Sequence, residues 1–345
     1  MVISVSLGAQ SYPILLEPGA LARAGEHLSL DRRVLVVTDS GVPQEYAQAI
    51  ASRCRQSRIC TLPAGEGSKS MDSYHLLLRE MLRLHMDRGD CVAAVGGGMV
   101  GDLAGFAAAT YMRGVDFYNI PTTLLAQVDS YVGGKTAIDL AAGKNLAGAF
   151  LQPTAVLCDT DCLRSLPNQV FADGAAEAIK TGVLDDESLF ALFEDGTLTA
   201  APEEVISRCL RYKAGVVERD EKEQGERKLL NLGHTVGHAI EKCSGYAIPH
   251  GHAVAAGLAI IARSSEALGW TEEPIAARIA ACLEKNHLPT GTAYSAEALA
   301  EAALADKKRA GGDITLVIPK KIGICELKKL PVAELLPIIR AGLEG

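Results

Sequence analysis

Over the first half of the chain, short apolar runs of strand length alternate with stretches of helical spacing. Residues 33–39 (RVLVVTD) and 91–95 (CVAAV) are nearly continuous apolar runs, as strands buried on both faces require. Shorter runs follow the same texture at 59–62 and at 155–159 (AVLCD). Between them, 42–54 and 71–85 carry apolar residues at helical intervals. Strand, helix, strand in this rhythm predicts a parallel sheet wrapped by helices. Each strand ends in a polar or glycine-rich turn, at 38–41, 65–67 and 96–98. Open α/β sheets bind ligands beyond the carboxyl ends of their strands, so these turns are the first places to look.

After LRSLP (163–167) the pattern changes. Segments 168–183, 202–219, 228–243, 252–268, 272–286 and 295–304 are helical in period, and 331–343 closes the chain as an amphipathic helix. Two strand-like pieces, 314–319 and 322–327, precede that last helix. The break predicts an α/β domain over 1–165 and a mainly α-helical domain over 166–345. A length of 345 residues agrees, being more than one hydrophobic core usually organises.

Composition narrows the class. With 48% hydrophobic and 22% charged residues the chain is globular in character. The net charge of -8 lacks the basic footprint of a duplex-binding protein, so no nucleic-acid partner is expected. Nine cysteines are scattered singly, with no CxxC, which suits a reducing compartment. No signal-peptide pattern and no run of about 20 apolar residues is present. The expectation is a cytoplasmic protein without a membrane partner.

Three constellations carry candidate chemistry. The turn GGGMVGD (96–102) follows an apolar strand and opens a helix, where exposed amides can cradle a phosphate. A tight strand-to-helix turn without ligand is the structural alternative. Asp39, past another strand end, could accept from ribose hydroxyls or cap a helix. The second constellation is NLGHTVGHAIEKCSGYAIPHGHAV. His234 and His238 share a helix face, and His250 opens the next helix. Antiparallel packing would bring His250 toward His234. Two imidazoles with a carboxylate such as Glu177, on the apolar helix ADGAAEAIKTG, would make an open metal site. Capping or core roles for these histidines are the structural alternative. The third is PTTLLAQVDSYVGGKTAIDLAAGKN (121–145), which sets Asp129, Lys135, Lys144 and Asn145 among small residues that let a backbone approach a ligand. Lys180, Lys213 and Arg227 add cations nearby in sequence. Taken singly each is expected to be a solvated surface charge, and Lys213 is expected to face out of its helix. A dinucleotide cradle with an open divalent metal suggests alcohol oxidation on an anionic polyhydroxylated substrate.

These segments, together with VVTDSG, GEGSKS, GFAAATYMRG, RKLLNLGHTVGHAIE, PHGHAVAAG and DKKRAGG, resemble the 3-dehydroquinate synthases over most of the chain. The resemblance implies a Rossmann-like NAD-binding α/β domain and a helical metal- and substrate-binding domain, usually as a homodimer. It implies NAD and one divalent cation, zinc or cobalt, and conversion of 3-deoxy-D-arabino-heptulosonate 7-phosphate, a sugar phosphate, to 3-dehydroquinate and phosphate. Carried over by motif, Glu177, His234 and His250 are the metal ligands. Asp39, Glu66, Lys69, Gly97, Gly98, Asp102, Thr122, Thr123 and Asp129 line the NAD site, with Lys144 near the nicotinamide. Lys135, Asn145, Lys180, Lys213, Arg227, Asn231 and His238 hold the substrate, with Lys307 or Lys308, and Arg113 reaches a phosphate across the dimer.

Two positions depart from that pattern. His252 stands where a carboxylate follows the third ligand, which would replace a carboxylate supporting the metal by an imidazole. Tyr131 stands where a small residue is common, a change expected to be tolerated if its ring points away from the pocket. Polyol dehydrogenases and other sugar-phosphate cyclases are the rival enzymes, and the first would not require the cationic block. A catalytically dead binding protein is disfavoured because no charged pocket candidate is missing.

Overall fold

A computed structural model of the chain describes residues 1–196, 201–304 and 312–345, so Lys307 and Lys308 lie outside the described residues. The chain divides into two compact units, Met1–Pro167 with Lys213–Glu218, and Asn168–Tyr212 with Arg219–Gly345.

The first unit runs β1 (Val2–Val5), β2 (Tyr12–Leu16), a short α1 (Ala24–His27), β3 (Arg33–Asp39), α2 (Gln44–Ala51), β4 (Gln56–Leu62), α3 (Met71–Arg83), β5 (Cys91–Gly96), α4 (Gly98–Thr110), β6 (Asp116–Pro121), β7 (Lys135–Leu140), β8 (Gly143–Phe150) and β9 (Ala155–Cys158). Among the described residues, seven strands form one sheet in the order β1-β2-β9-β6-β5-β3-β4, parallel except for the β1–β2 pair. Alternation along each strand feeds two cores. Leu35, Val37, Val92 and Ala94 pack with Leu77 and Met81 of α3 and Leu103 and Ala107 of α4. Val34, Val36, Ala93 and Val95 pack on the other face with Ala47 and Ile50 of α2. Each fully buried Val, Leu or Ile contributes about 1.5–3 kcal/mol, so the two faces hold the sheet and fix where its carboxyl ends lie.

The second unit is mainly helical: α5 (Asn168–Asp185), α6 (Glu187–Glu194), α7 (Pro202–Arg219), α8 (His234–Cys243), α9 (His250–Ala267), α10 (Ala276–Lys285), α11 (Ala296–Leu304) and α12 (Leu335–Glu344), with, among the described residues, one antiparallel pair, β10 (Asp313–Lys321) and β11 (Ile324–Pro331). Within α7, Lys213–Glu218 belong to the first unit. Among the described residues no helix is long and apolar enough to cross a membrane.

Several elements differ from the sequence pattern. The 121–145 block becomes a π-helical turn at Ala126–Ser130 followed by the β7–β8 hairpin. The helix expected over 228–243 is broken: a 3-10 turn covers Glu226–Asn231, and α8 starts only at His234. Gly233 makes the break, at φ +76, with space for a Cβ closed by the Leu258 amide 2.9 Å away.

Candidate active site: a carboxylate–histidine cluster and a glycine turn

Glycines bring the helices of the second unit into backbone contact. A Cβ at Gly251 would lie 1.9 Å from the carbonyl oxygen of Asp173 on α5. One at Gly257 would lie 2.2 Å from the Gly233 carbonyl and 2.8 Å from the Gly237 amide. Side-chain-free contacts therefore seat α9 against both α5 and α8. Glu177 from α5, His234 from the first turn of α8 and His250 from the first turn of α9 converge as a result.

Glu177 is 1% exposed, and its Oε1 has no hydrogen-bond partner. Nε2 of His234 and Nε2 of His250 each lie 3.6 Å from that oxygen. Ligands around a tetrahedral zinc are roughly 3.3 Å apart, so each imidazole nitrogen sits at a nearly coordinating separation from the carboxylate oxygen. The other ring nitrogens are already used. His234 Nδ1 lies 3.1 Å from the Leu232 carbonyl, and His250 Nδ1 lies 3.3 Å from Glu241 Oε2. This is how metal-ligating imidazoles are ordinarily oriented, and the residues present fit a divalent cation.

Electrostatics hold two of the three groups, Glu177 and His234, in the form that can ligate. Burial works against the Glu177 carboxylate, but Lys180 and the two imidazoles outweigh it and hold the group well below the usual carboxylate range. Burial and the Lys180 charge push His234 down to about 3, so it is neutral. Burial opposes the charged form of His250, yet Glu177 and Glu241 raise it to about 10. Lys180, 2% exposed, gives its Nζ to Glu177 Oε2 at 2.5 Å and to the Leu230 carbonyl at 2.7 Å.

His238 is not one of the converging three. It is 59% exposed, with its ring 5.2 Å from that of His234 and its Nε2 3.9 Å from Glu241. It forms with Glu241 and His250 a second grouping of possible ligand atoms. Arg227, 2% exposed, donates to the Glu221 carbonyl, and Asn231 donates to Glu223 Oε1 at 2.8 Å. Lys180 and Arg227 are thus buried, against the expectation of solvated charges.

Two sequence readings are corrected here. His252 turns to Asp173, whose Oδ1 accepts its backbone amide at 3.0 Å and meets its ring at 3.1 Å. The carboxylate behind His250 is instead Glu241, a residue the sequence reading passed over. Lys213 does not face out: it is 8% exposed and donates to Asp129 Oδ1 at 2.8 Å and to the Asp129 carbonyl at 2.6 Å. The signal for Glu241 was its place three residues after His238, a carboxylate among positions of α8 that are otherwise apolar or small and buried: Val236, Gly237, Ala239 and Ile240.

In the first unit β5 ends at Gly96 and Gly97 caps α4. A Cβ at Gly97 would lie 3.3 Å from Thr123, and one at Gly98 3.1 Å from Ser130. The Thr122 amide donates to Gly96 at 3.0 Å. The buried ring of Tyr131 fills the space over Gly101, where a Cβ would lie 2.0 Å from the ring edge. Lys69 pairs with Asp102 at 2.5 Å and stands 3.7 Å from exposed Glu66. Burial raises the Asp102 carboxyl despite that partner. Burial also raises Asp39, which accepts the Gly41 amide at 2.7 Å. Lys135 opens β7 and Lys144 lies in β8, where Asn145 adopts φ +57 with its amide donating to Asp139 at 2.8 Å. Arg113 is exposed, at φ +70.

The family described as 3-dehydroquinate synthase N-terminal matches residues 59–173, and the one described as 3-dehydroquinate synthase C-terminal matches residues 174–309. A 3-dehydroquinate synthase of Pelobacter propionicus is 42% identical, with 99% of both chains covered. One from Caulobacter vibrioides is 44% identical over 93% of both. Among solved structures, a 2-deoxy-scyllo-inosose synthase complexed with carbaglucose-6-phosphate, NAD+ and Co2+ superposes with a TM-score of 0.89 at 24% identity, over 99% of this chain and 100% of that one, and shares the fold. The 2-epi-5-epi-valiolone synthase of Streptomyces hygroscopicus, with NAD+ and Zn2+ bound, gives 0.87 at 25% identity over 98% of both. A probable glycerol dehydrogenase of Sinorhizobium meliloti is more distant, at 0.62 and 17% identity, over 96% of both. The chain belongs to the 3-dehydroquinate synthase family.

Proposed function

We propose that Glu177, His234 and His250 hold one divalent cation, zinc or cobalt, in an enzyme that turns 3-deoxy-D-arabino-heptulosonate 7-phosphate into 3-dehydroquinate and phosphate. The observation that carries this reading is the buried Glu177 Oε1, with no hydrogen-bond partner and two imidazole Nε2 atoms each 3.6 Å away. NAD is held by the first unit, at the glycine turn with Gly97 and Gly98, by Asp39, Glu66, Lys69, Asp102, Thr122, Thr123 and Asp129, with Lys144 toward the nicotinamide. When bound, the cation acidifies a substrate hydroxyl and NAD accepts and returns one hydride in each turnover.

The chain's own residues do the holding and the proton work. Lys180, tied to the Leu230 carbonyl, keeps a positive charge on Glu177 Oε2 and leaves Oε1 to face the imidazoles. Glu241 and the Leu232 carbonyl fix each ring so that its Nε2 faces Glu177. Arg227, Asn231, Lys135, Asn145, Lys213 and a lysine of the 307–308 pair bind the anionic groups of the substrate. His238, exposed beside the cluster, exchanges protons with the substrate's hydroxyls. Arg113 serves a partner copy in a homodimer. We place the enzyme in the cytoplasm, which suits nine cysteines that are all free thiols.

The test is phosphate release from the heptulosonate with NAD at trace concentration. Release of many phosphates per NAD, abolished by a chelator and restored by zinc, is the expected result. NADH accumulating in step with substrate would mark a dehydrogenase and overturn the reading.

A further inference from the structure

We propose that Tyr131 is a positioning residue for the dinucleotide, its hydroxyl fixing a peptide plane of the glycine turn so that the Gly98 amide opening α4 is set before the ligand arrives. The inference rests on the reading that this turn holds NAD.

The Tyr131 hydroxyl is 2.7 Å from the Gly97 carbonyl oxygen and 3.1 Å from that of Gly96. A carbonyl and the amide that follows it share one rigid plane and point in opposite directions. The single hydroxyl proton goes to the nearer oxygen, that of Gly97, and holding it aims the Gly98 amide. Three consecutive glycines have the greatest backbone freedom of any sequence, so an unheld turn would lose the most entropy when a pyrophosphate fixes it. The Thr122 amide already holds the Gly96 oxygen from the next strand, whereas Gly97 has the phenol and its own helix. Tyr131 can donate steadily because it is buried, and burial pushes its ionisation well above the ordinary range. The ring reaches this position only because residue 101 is glycine. Gly101 thus makes room for a side chain within the chain itself, a use that a ligand contact does not supply.

The experiment titrates NAD, ADP-ribose and adenosine into the wild-type protein and Tyr131→Phe, at a temperature where circular dichroism shows both folded. Phenylalanine keeps the ring that packs on Gly101 and removes only the donor. The expected result is a loss of about fivefold to tenfold in affinity for NAD and for ADP-ribose, the size of one buried hydrogen bond, with adenosine binding and zinc affinity unmoved. The Gly98 amide of the ligand-free variant should also exchange its hydrogen faster. Unchanged NAD and ADP-ribose affinities would overturn the proposal, as would an equal loss for adenosine. A wild-type protein that binds neither NAD nor ADP-ribose would overturn the underlying reading of the turn instead.

Discussion

Replacing Glu177 by glutamine separates a metal ligand from a merely structural ion-pair partner. The substitution preserves shape and removes the charge. Lys180 then keeps the Leu230 carbonyl but loses its carboxylate while 2% exposed. Breaking one side of a buried pair costs about 3–5 kcal/mol, so metal-free Glu177→Gln unfolds at a lower temperature than metal-free wild type. The metal term is independent of that loss. At a free zinc concentration about 100 times its dissociation constant, binding stabilises the wild type by about 2.7 kcal/mol. For a unit of this size that is a rise of about 5–10 °C in unfolding temperature. Scanning calorimetry of chelator-treated protein with and without zinc reads both terms. Wild type should show the rise and Glu177→Gln should show almost none. If the variant is destabilised yet keeps the full zinc-dependent rise, Glu177 only neutralises Lys180 and the ligand assignment fails.

Other consequences follow from the same geometry. In the metal-free protein His250 is raised to about 10, so its contribution to stability is fully present below its ordinary value near 6.5 and is lost as pH rises through 10. A cation needs the neutral ring, so its apparent affinity strengthens with pH and binding at pH 8 releases about one proton. Calorimetry in two buffers of different ionisation enthalpy measures that number, and zero release would contradict the His250 assignment. Gly251→Ala sets a methyl 1.9 Å from the Asp173 carbonyl oxygen, forcing α9 off α5. Zinc affinity should fall at least tenfold while NAD affinity stays put, and an unchanged zinc titration would show that this contact does not position His250. Arg227→Ala should raise the substrate KM steeply and leave NAD binding as it was. Loss confined to NAD binding would displace Arg227 from the substrate.

The parallel sheet was the most legible part of the chain, because strands buried on both faces spell themselves out as apolar runs: β3 occupies the residues its run marks, 33–39. The β7–β8 hairpin was not legible. It is built largely of Gly and Ala with exposed Leu146 and Phe150, so no alternation of apolar and polar residues announces it. Short β1 and β2 lacked the length to be seen. Among the site residues, Glu177, His234 and His250 stood out as polar groups on small-residue helices, and they do converge. Lys213 and His252 were misread because helical spacing gives the face a residue occupies and not what packs on that face. Burial at Lys213 is set by Asp129, 84 positions away, and the orientation of His252 by Asp173, 79 positions away. Glu241 escaped notice for the same reason, since its partner is reached only through the return of α9 across α8.

The most direct measurement is anomalous X-ray diffraction at the zinc absorption edge from crystals of the zinc-loaded enzyme. A single peak per chain, within about 2.0–2.2 Å of a Glu177 oxygen and of Nε2 on both His234 and His250, is the predicted result. A peak held by His238 and Glu241 without Glu177, or none in this region, would contradict the account.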